Sequence, residues 1–167
     1  MKAVRIRLHR FAELVAAFLF AAMFGAFLLQ VFTRYILNDP VTWTQEFVLI
    51  VYIWIVFWSA AFLLRERDHI TFDVISGALP PRPRRVLAAV LTAVTGGAFV
   101  LALPGTLDYI TFMRIERSPV MGIRFDLLYA IFGVFMVAVV AASALRLRRL
   151  FGSAWREELG SDGEPSP

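Results

Sequence analysis

Four runs of the chain carry no charge for 18 residues or more: 14–33, 47–64, 86–107 and 127–145. Apolar stretches of that length are read as membrane spans, because roughly 20 helical residues cross a hydrocarbon core about 30 Å thick. Within lipid the backbone must satisfy its own hydrogen bonds, which selects helices over an open sheet. The pattern predicts an all-α integral membrane protein with four transmembrane helices, over about 11–33, 46–64, 86–108 and 127–146. Residues 1–150 then form one four-helix membrane domain. The tail 151–167, ending GSDGEPSP, is too polar and too small to pack and is expected to be disordered.

The links between the runs carry their own signals. In 34–46 (RYILNDPVTWTQE) a turn is expected at Asn38-Asp39-Pro40, since proline pushes its predecessor away from the helical region. Thr42 or Thr44 is placed to cap the second helix, with Glu46 favoured in its first turn by the helix dipole. In 65–85, apolar residues at 70, 74, 75, 78 and 79 oppose Asp73, Ser76 and Gly77. That spacing predicts a short amphipathic helix lying in the interface over about 70–79. The alternation of Ile70, Phe72 and Val74 fits a strand almost as well. Pro80, Pro81 and Pro83 end the segment, and Arg82, Arg84 and Arg85 follow at the level of anionic headgroups. Ser118-Pro119 and Gly122 mark a turn in the last link. In the third run Gly96-Gly97 and Pro104-Gly105 favour a kink, and the scarcity of polar neighbours argues against a binding break there.

Composition agrees with a membrane protein. Of 167 residues, 59% are hydrophobic and 18% charged, with a mean hydropathy of +0.70. Soluble domains are about half apolar and about a quarter charged. The net charge of +4 therefore bears on topology and not on nucleic acid. Lys and Arg number 4 before the first span, then 1, 5, 3 and 4 in the successive links and tail, so alternate sides carry 13 and 4. Basic residues favour the cytoplasmic side, which puts both termini and the middle link in the cytoplasm. The start, MKAVRIRLHR, also resembles the basic region of a secretory signal, but the apolar run outlasts the usual length and its Ala-rich sites lie inside it. It is expected to remain uncleaved.

Candidate chemistry is sparse. Without cysteine there is no disulfide, thiol relay or iron–sulfur cluster. His9 and His69 both flank spans, so paired axial haem ligands are missing. No cofactor and no metal are expected. Asp68, His69 and Asp73 could suggest a metal cluster, but Arg65 and Arg67 sit among them and oppose a cation. An ion-pair network at the membrane boundary suits them better. Glu13 has His9 at i−4 and Arg10 at i−3, which favours a local pair. Arg34 and Tyr35 close the first span as interfacial anchors. Arg34 is also the one basic residue of its link, so a pair with Glu46 or with Asp39 stays open. Trp43 fits an interfacial belt. Trp54 and Trp58 lie one turn apart at mid-span, facing core, lipid or a partner, and their indole N–H groups need acceptors if buried. Ala17, Ala21 and Gly25 form a small-residue row of the kind found in any bundle.

The order of these residues resembles a known family. Arg34-Tyr35 closes span one, Trp43-x-x-Glu46 opens span two, and Trp54, Ser59-Ala60-Ala61, Arg65 and His69-Ile70 follow before Leu79-Pro80. This run is similar to the small, DctQ-like membrane subunit of tripartite ATP-independent periplasmic (TRAP) transporters. The resemblance extends to about Leu150, and its specific part is 30–80. Two departures stand out: Gln45 precedes a single Glu46 where the family often has two acids, and Ser59 stands where it often has glycine.

What the resemblance implies is a non-catalytic subunit with no enzymatic activity of its own. It would scaffold a large, DctM-like membrane subunit during sodium-coupled uptake of an organic acid delivered by a periplasmic substrate-binding protein. The implied setting is the bacterial inner membrane, with lipid and no nucleic acid as the further partners. Arg34, Tyr35, Trp43, Glu46, Trp54, Trp58, Arg65 and His69 are the interface or structural candidates it carries over. The residues agree on one point by themselves. The four spans lack the interior polar constellation that an autonomous carrier of anions needs. The rival is a self-sufficient proton-coupled transporter that dimerises around a membrane glutamate, which needs that glutamate deep in span one, whereas Glu13 lies at its edge. A membrane enzyme is disfavoured by the missing cysteine, scarce histidine and absent nucleophile–base set.

Overall fold

A computed structural model describes residues 2–63 and 80–152. The segment expected over 70–79, together with Arg65 and His69, lies outside the described residues, as does the tail from residue 153. The chain forms α1 (Lys2–Tyr35), α2 (Trp43–Phe62), α3 (Pro81–Phe112), a 3₁₀ turn (Met113–Ile115) and α4 (Phe125–Phe151). Among the described residues there is no strand, only an isolated bridge between Arg117 and Arg124. Each of the four helices contains a stretch long and apolar enough to cross a membrane: His9–Tyr35, Trp43–Phe62, Pro83–Ile115 and Phe125–Phe151. The helices outrun the charge-free stretches because a helix can continue past the hydrocarbon, where Arg and Lys heads reach water.

Most large apolar side chains face outward; Phe18 is 73% exposed and Leu101 82%. In water this would be untenable. In lipid there is no gain from hiding apolar surface, so helices meet through small residues and satisfied polar groups. Hydroxyls inside the helices follow the same logic. Thr33, Thr44, Thr92 and Thr111 donate to the carbonyls of Gln30, Val41, Ala88 and Leu107, at 2.7–3.1 Å, so each is satisfied within its own turn or the one before.

The chain divides into two compact units. The first comprises Met1–Leu63 and Gly105–Phe135. Within it α1 and α2 form an antiparallel hairpin: Asn38 takes a left-handed conformation (φ 52°) in the turn, and the Asp39 N–H reaches back to the Thr33 carbonyl at 3.2 Å. Far along the hairpin the Trp58 indole Nε1–H donates to the Ala12 carbonyl at 3.1 Å. Phe57 of α2 packs against Phe132 and Phe135 of α4, with ring centroids 5.1 and 5.4 Å apart. Buried Gly133 leaves room for Ile110 and Leu107, which would stand 3.5 and 3.6 Å from a Cβ there.

The second unit comprises Leu64–Pro104 and Met136–Pro167, described over 80–104 and 136–152. Here the first half of α3 runs antiparallel to the second half of α4. The Arg85 Nε–H donates to the Leu150 carbonyl at 2.7 Å, joining the start of one helix to the end of the other. Further along, a Cβ on Gly96 would lie only 2.8 Å from the Ser143 Cβ. Glycine is thus required there for close approach, while a Cβ on Gly97 or Gly105 would meet open space. α3 is unbroken through both glycine sites and through Pro104. Close approach of α4 at Ser143 is thus a role for Gly96 that the expected kink did not include.

Candidate functional site

Four of the eight candidate residues gather at the α1–α2 turn. Arg34 is exposed and holds its guanidinium 5.9 Å from the Tyr35 ring centroid, a cation–π pair at the end of α1. Trp43 opens α2, about two-fifths exposed, with Phe47 set edge-on at 6.1 Å. Glu46 lies one turn in. Thr42 stands at the N-cap position, but its side chain makes no capping bond, and Thr44 donates backward to Val41. Neither threonine caps the helix as expected: Thr42 is itself in a helical conformation (φ −70°, ψ −32°), and the Thr44 hydroxyl is already committed.

Glu46 is where sequence reasoning looked in the wrong direction. Its carboxylate turns to the link between α3 and α4 and not to Arg34. One oxygen, Oε2, accepts the N–H groups of Val120 and Met121 at 3.0 and 3.1 Å. Oε1 is closed off from solvent, and the Ser118 hydroxyl also lies close to the carboxylate. A charged acceptor facing two consecutive amides makes stronger bonds than a neutral one. The contact therefore ties the first turn of α2 to a loop 74 residues away.

That loop is shaped to offer those amides. The Ser118 N–H donates to the Ile123 carbonyl at 2.8 Å, and the Ile123 N–H returns to Ser118 Oγ at 2.9 Å. Gly122 adopts φ 65°, a conformation that a side chain disfavours, and closes the turn with its N–H on the Ser118 carbonyl at 3.1 Å. The Phe125 N–H bonds to the Glu116 carbonyl at 3.1 Å. Arg124 pairs with Asp126 through two bonds, and Asp126 also accepts the Leu127 N–H at 2.9 Å in the first turn of α4. With Val120 and Met121 lifted from the hairpin's own bonds, their N–H groups meet Glu46.

The other candidates lie apart from this cluster. Trp58 is partly buried and its indole is spent on α1, with the Phe62 ring 4.6 Å away. Trp54 is also partly buried, one turn earlier on α2. His9 and Glu13 form the local pair expected of them, Nδ1 to Oε1 at 3.1 Å. Among the described residues no three His, Cys, Asp or Glu side chains gather in a way that could hold a metal ion. Asp68, His69 and Asp73 lie outside those residues. From the sequence, Ser118-Pro119 and Gly122 marked only a turn, and the meeting of Ser118 and the 120–121 amides with Glu46 was not legible. A backbone N–H leaves no mark on a sequence, and the one clue was a turn with glycine at position 122.

Comparison with known proteins places these elements. The sequence model described as "Tripartite ATP-independent periplasmic transporters, DctQ component" matches residues 23–152, which take in the last third or so of α1, all of α2, α3 and α4, and the links between them. The C4-dicarboxylate TRAP transporter small permease protein DctQ of Vibrio cholerae is 31% identical over 107 residues, 62% of this chain and 46% of that one. The sialic acid TRAP transporter small permease protein SiaQ of the same organism is 25% identical over 118 residues, 71% of this chain and 65% of the relative. A shorter match, 20% over 78 residues, falls within 13% of the sialic acid TRAP transporter permease protein SiaT of Haemophilus influenzae. The chain thus spans about half of the first relative and just under two thirds of the second. The four apolar helices and a match that covers three of them and the end of the first agree: this multi-pass membrane protein belongs to the DctQ component family of the tripartite ATP-independent periplasmic transporters.

Proposed function

We propose that the chain is the non-catalytic small permease subunit of a TRAP transporter. It widens and steadies a large DctM-like membrane subunit for sodium-coupled, binding-protein-dependent uptake of an organic acid. The observation that carries the reading is the outward display of large apolar side chains on the described helices. Phe18, Leu14 and Phe24 of α1 and Leu49 and Tyr52 of α2 are all more than half exposed, a surface suited to lipid and to a larger apolar neighbour. Among the described residues, two polar groups of α2 bond to the chain itself: Glu46 to a loop, Trp58 to a helix carbonyl. A carrier acting alone would need such groups facing a substrate at mid-membrane.

The names of the relatives, which mention C4-dicarboxylate and sialic acid, support an organic acid as the substrate class. The charge distribution supports both termini in the cytoplasm of a bacterial inner-membrane protein. In that orientation the α1–α2 turn and the Glu46-bound loop face the periplasm, where the binding protein arrives. Proteoliposomes test the reading. Uptake driven by a sodium gradient should require this chain, the large subunit and the loaded binding protein together. Uptake by this chain alone, driven by a proton gradient, would establish the homodimeric carrier instead.

A further inference from the structure

We propose that the loop over 116–125 is a preformed carboxylate receptor, with Glu46 as its built-in occupant. A small free monocarboxylate, of which formate and acetate are the simplest, enters the same place once that side chain is gone. Between 118 and 123, three amides are spent inside the loop. The N–H groups of Ser118, Gly122 and Ile123 bond to the Ile123 carbonyl, the Ser118 carbonyl and Ser118 Oγ, at 2.8, 3.1 and 2.9 Å. Pro119 has no N–H, and its ring fixes φ. Val120 and Met121 are left to look outward as neighbours in sequence, and both meet Glu46 Oε2. Successive amides turned to one side form a concavity that suits an anion.

None of the bonds that shape this turn involves Glu46. The Phe125 N–H on the Glu116 carbonyl closes its base, and Gly122 at φ 65° supplies its bend. Ser118, only 5% exposed, holds its hydroxyl beside the carboxylate. That oxygen accepts the Ile123 N–H, which leaves its own hydrogen for the occupant. The class of ligand follows from these donors, because a charged acceptor bonds them more strongly than a neutral amide oxygen does. In the wild type the tether keeps Glu46 at a high local concentration, so dilute free acids do not displace it.

The test is amide hydrogen exchange in Glu46→Ala, with the full chain held in micelles of an uncharged detergent. Without added acid, Val120 and Met121 should exchange fast while Gly122 and Ile123 stay protected. Acetate should then slow Val120 and Met121 in a saturable way, roughly tenfold at about ten times its dissociation constant. Formate should act as acetate does; chloride at equal ionic strength and neutral acetamide should not. Adding Gly122→Ala, which strains the positive-φ turn, should abolish the effect of acetate. Lost protection at Gly122 and Ile123 in Glu46→Ala overturns the proposal, since Glu46 itself would then build the loop. Lost helicity of that variant in circular dichroism would mean the same. Exchange that acetate leaves unchanged, or that chloride or acetamide slows equally, also overturns it. So does a full acetate effect in the Gly122→Ala double variant.

Discussion

Two consecutive amides converging on Glu46 Oε2 make this carboxylate a structural clasp, and its substitution should be read locally. Glu46→Ala removes the acceptor and leaves two N–H groups to find water. Hydrogen exchange at Val120 and Met121 should quicken by roughly tenfold or more, with uptake reduced and membrane insertion intact. Glu46→Gln keeps an acceptor oxygen without charge and should fall between the two. Unchanged exchange in both variants would remove the clasp from the account. Trp58 offers a cleaner separation of hydrogen bond from bulk. Trp58→Phe loses only the N–H to Ala12 and should cost about 0.5–1.5 kcal/mol in detergent unfolding, while Trp58→Ala should cost clearly more. Arg34→Ala should leave the α1–α2 hairpin standing, since its guanidinium contacts Tyr35 and not Glu46.

Between helices, Gly96 and Ser143 give the sharpest expectation. Gly96→Ala inserts a methyl where 2.8 Å separates it from the Ser143 Cβ, and overpacking of this kind costs about 1–3 kcal/mol. Gly97→Ala, facing open space one residue on, should be neutral or slightly stabilising. Adding Ser143→Gly to Gly96→Ala should restore much of the loss; thermal unfolding of the four proteins measures it. The helices themselves were legible from charge-free runs, because length and hydropathy alone decide what crosses lipid. What each helix touches was not. Gly96 was read as a kink because a glycine pair looks the same whether it bends a helix or admits a neighbour. Thr42 and Thr44 looked like caps because their residue types allow it, yet Thr44 found a carbonyl behind it first.

For the whole molecule, span count could be read from the four charge-free runs and family from the order Arg34-Tyr35, Trp43, Glu46, Trp54, and the match over residues 23–152 agrees with that family. The clasp could not, since it joins a side chain to backbone groups across 74 residues. Topology has a simple test, because the chain contains no cysteine. Asp39→Cys should react with an impermeant maleimide from the periplasm, and Gly152→Cys only after the membrane is opened. Reversed labelling would invert the proposed orientation and with it the exposure of the Glu46-bound loop. The claim that this chain is a subunit is tested most directly by gentle extraction from native membranes through a tag on its own terminus. The account predicts that it elutes with a large membrane permease in fixed ratio; elution as a stable homodimer that transports unaided in vesicles would contradict it.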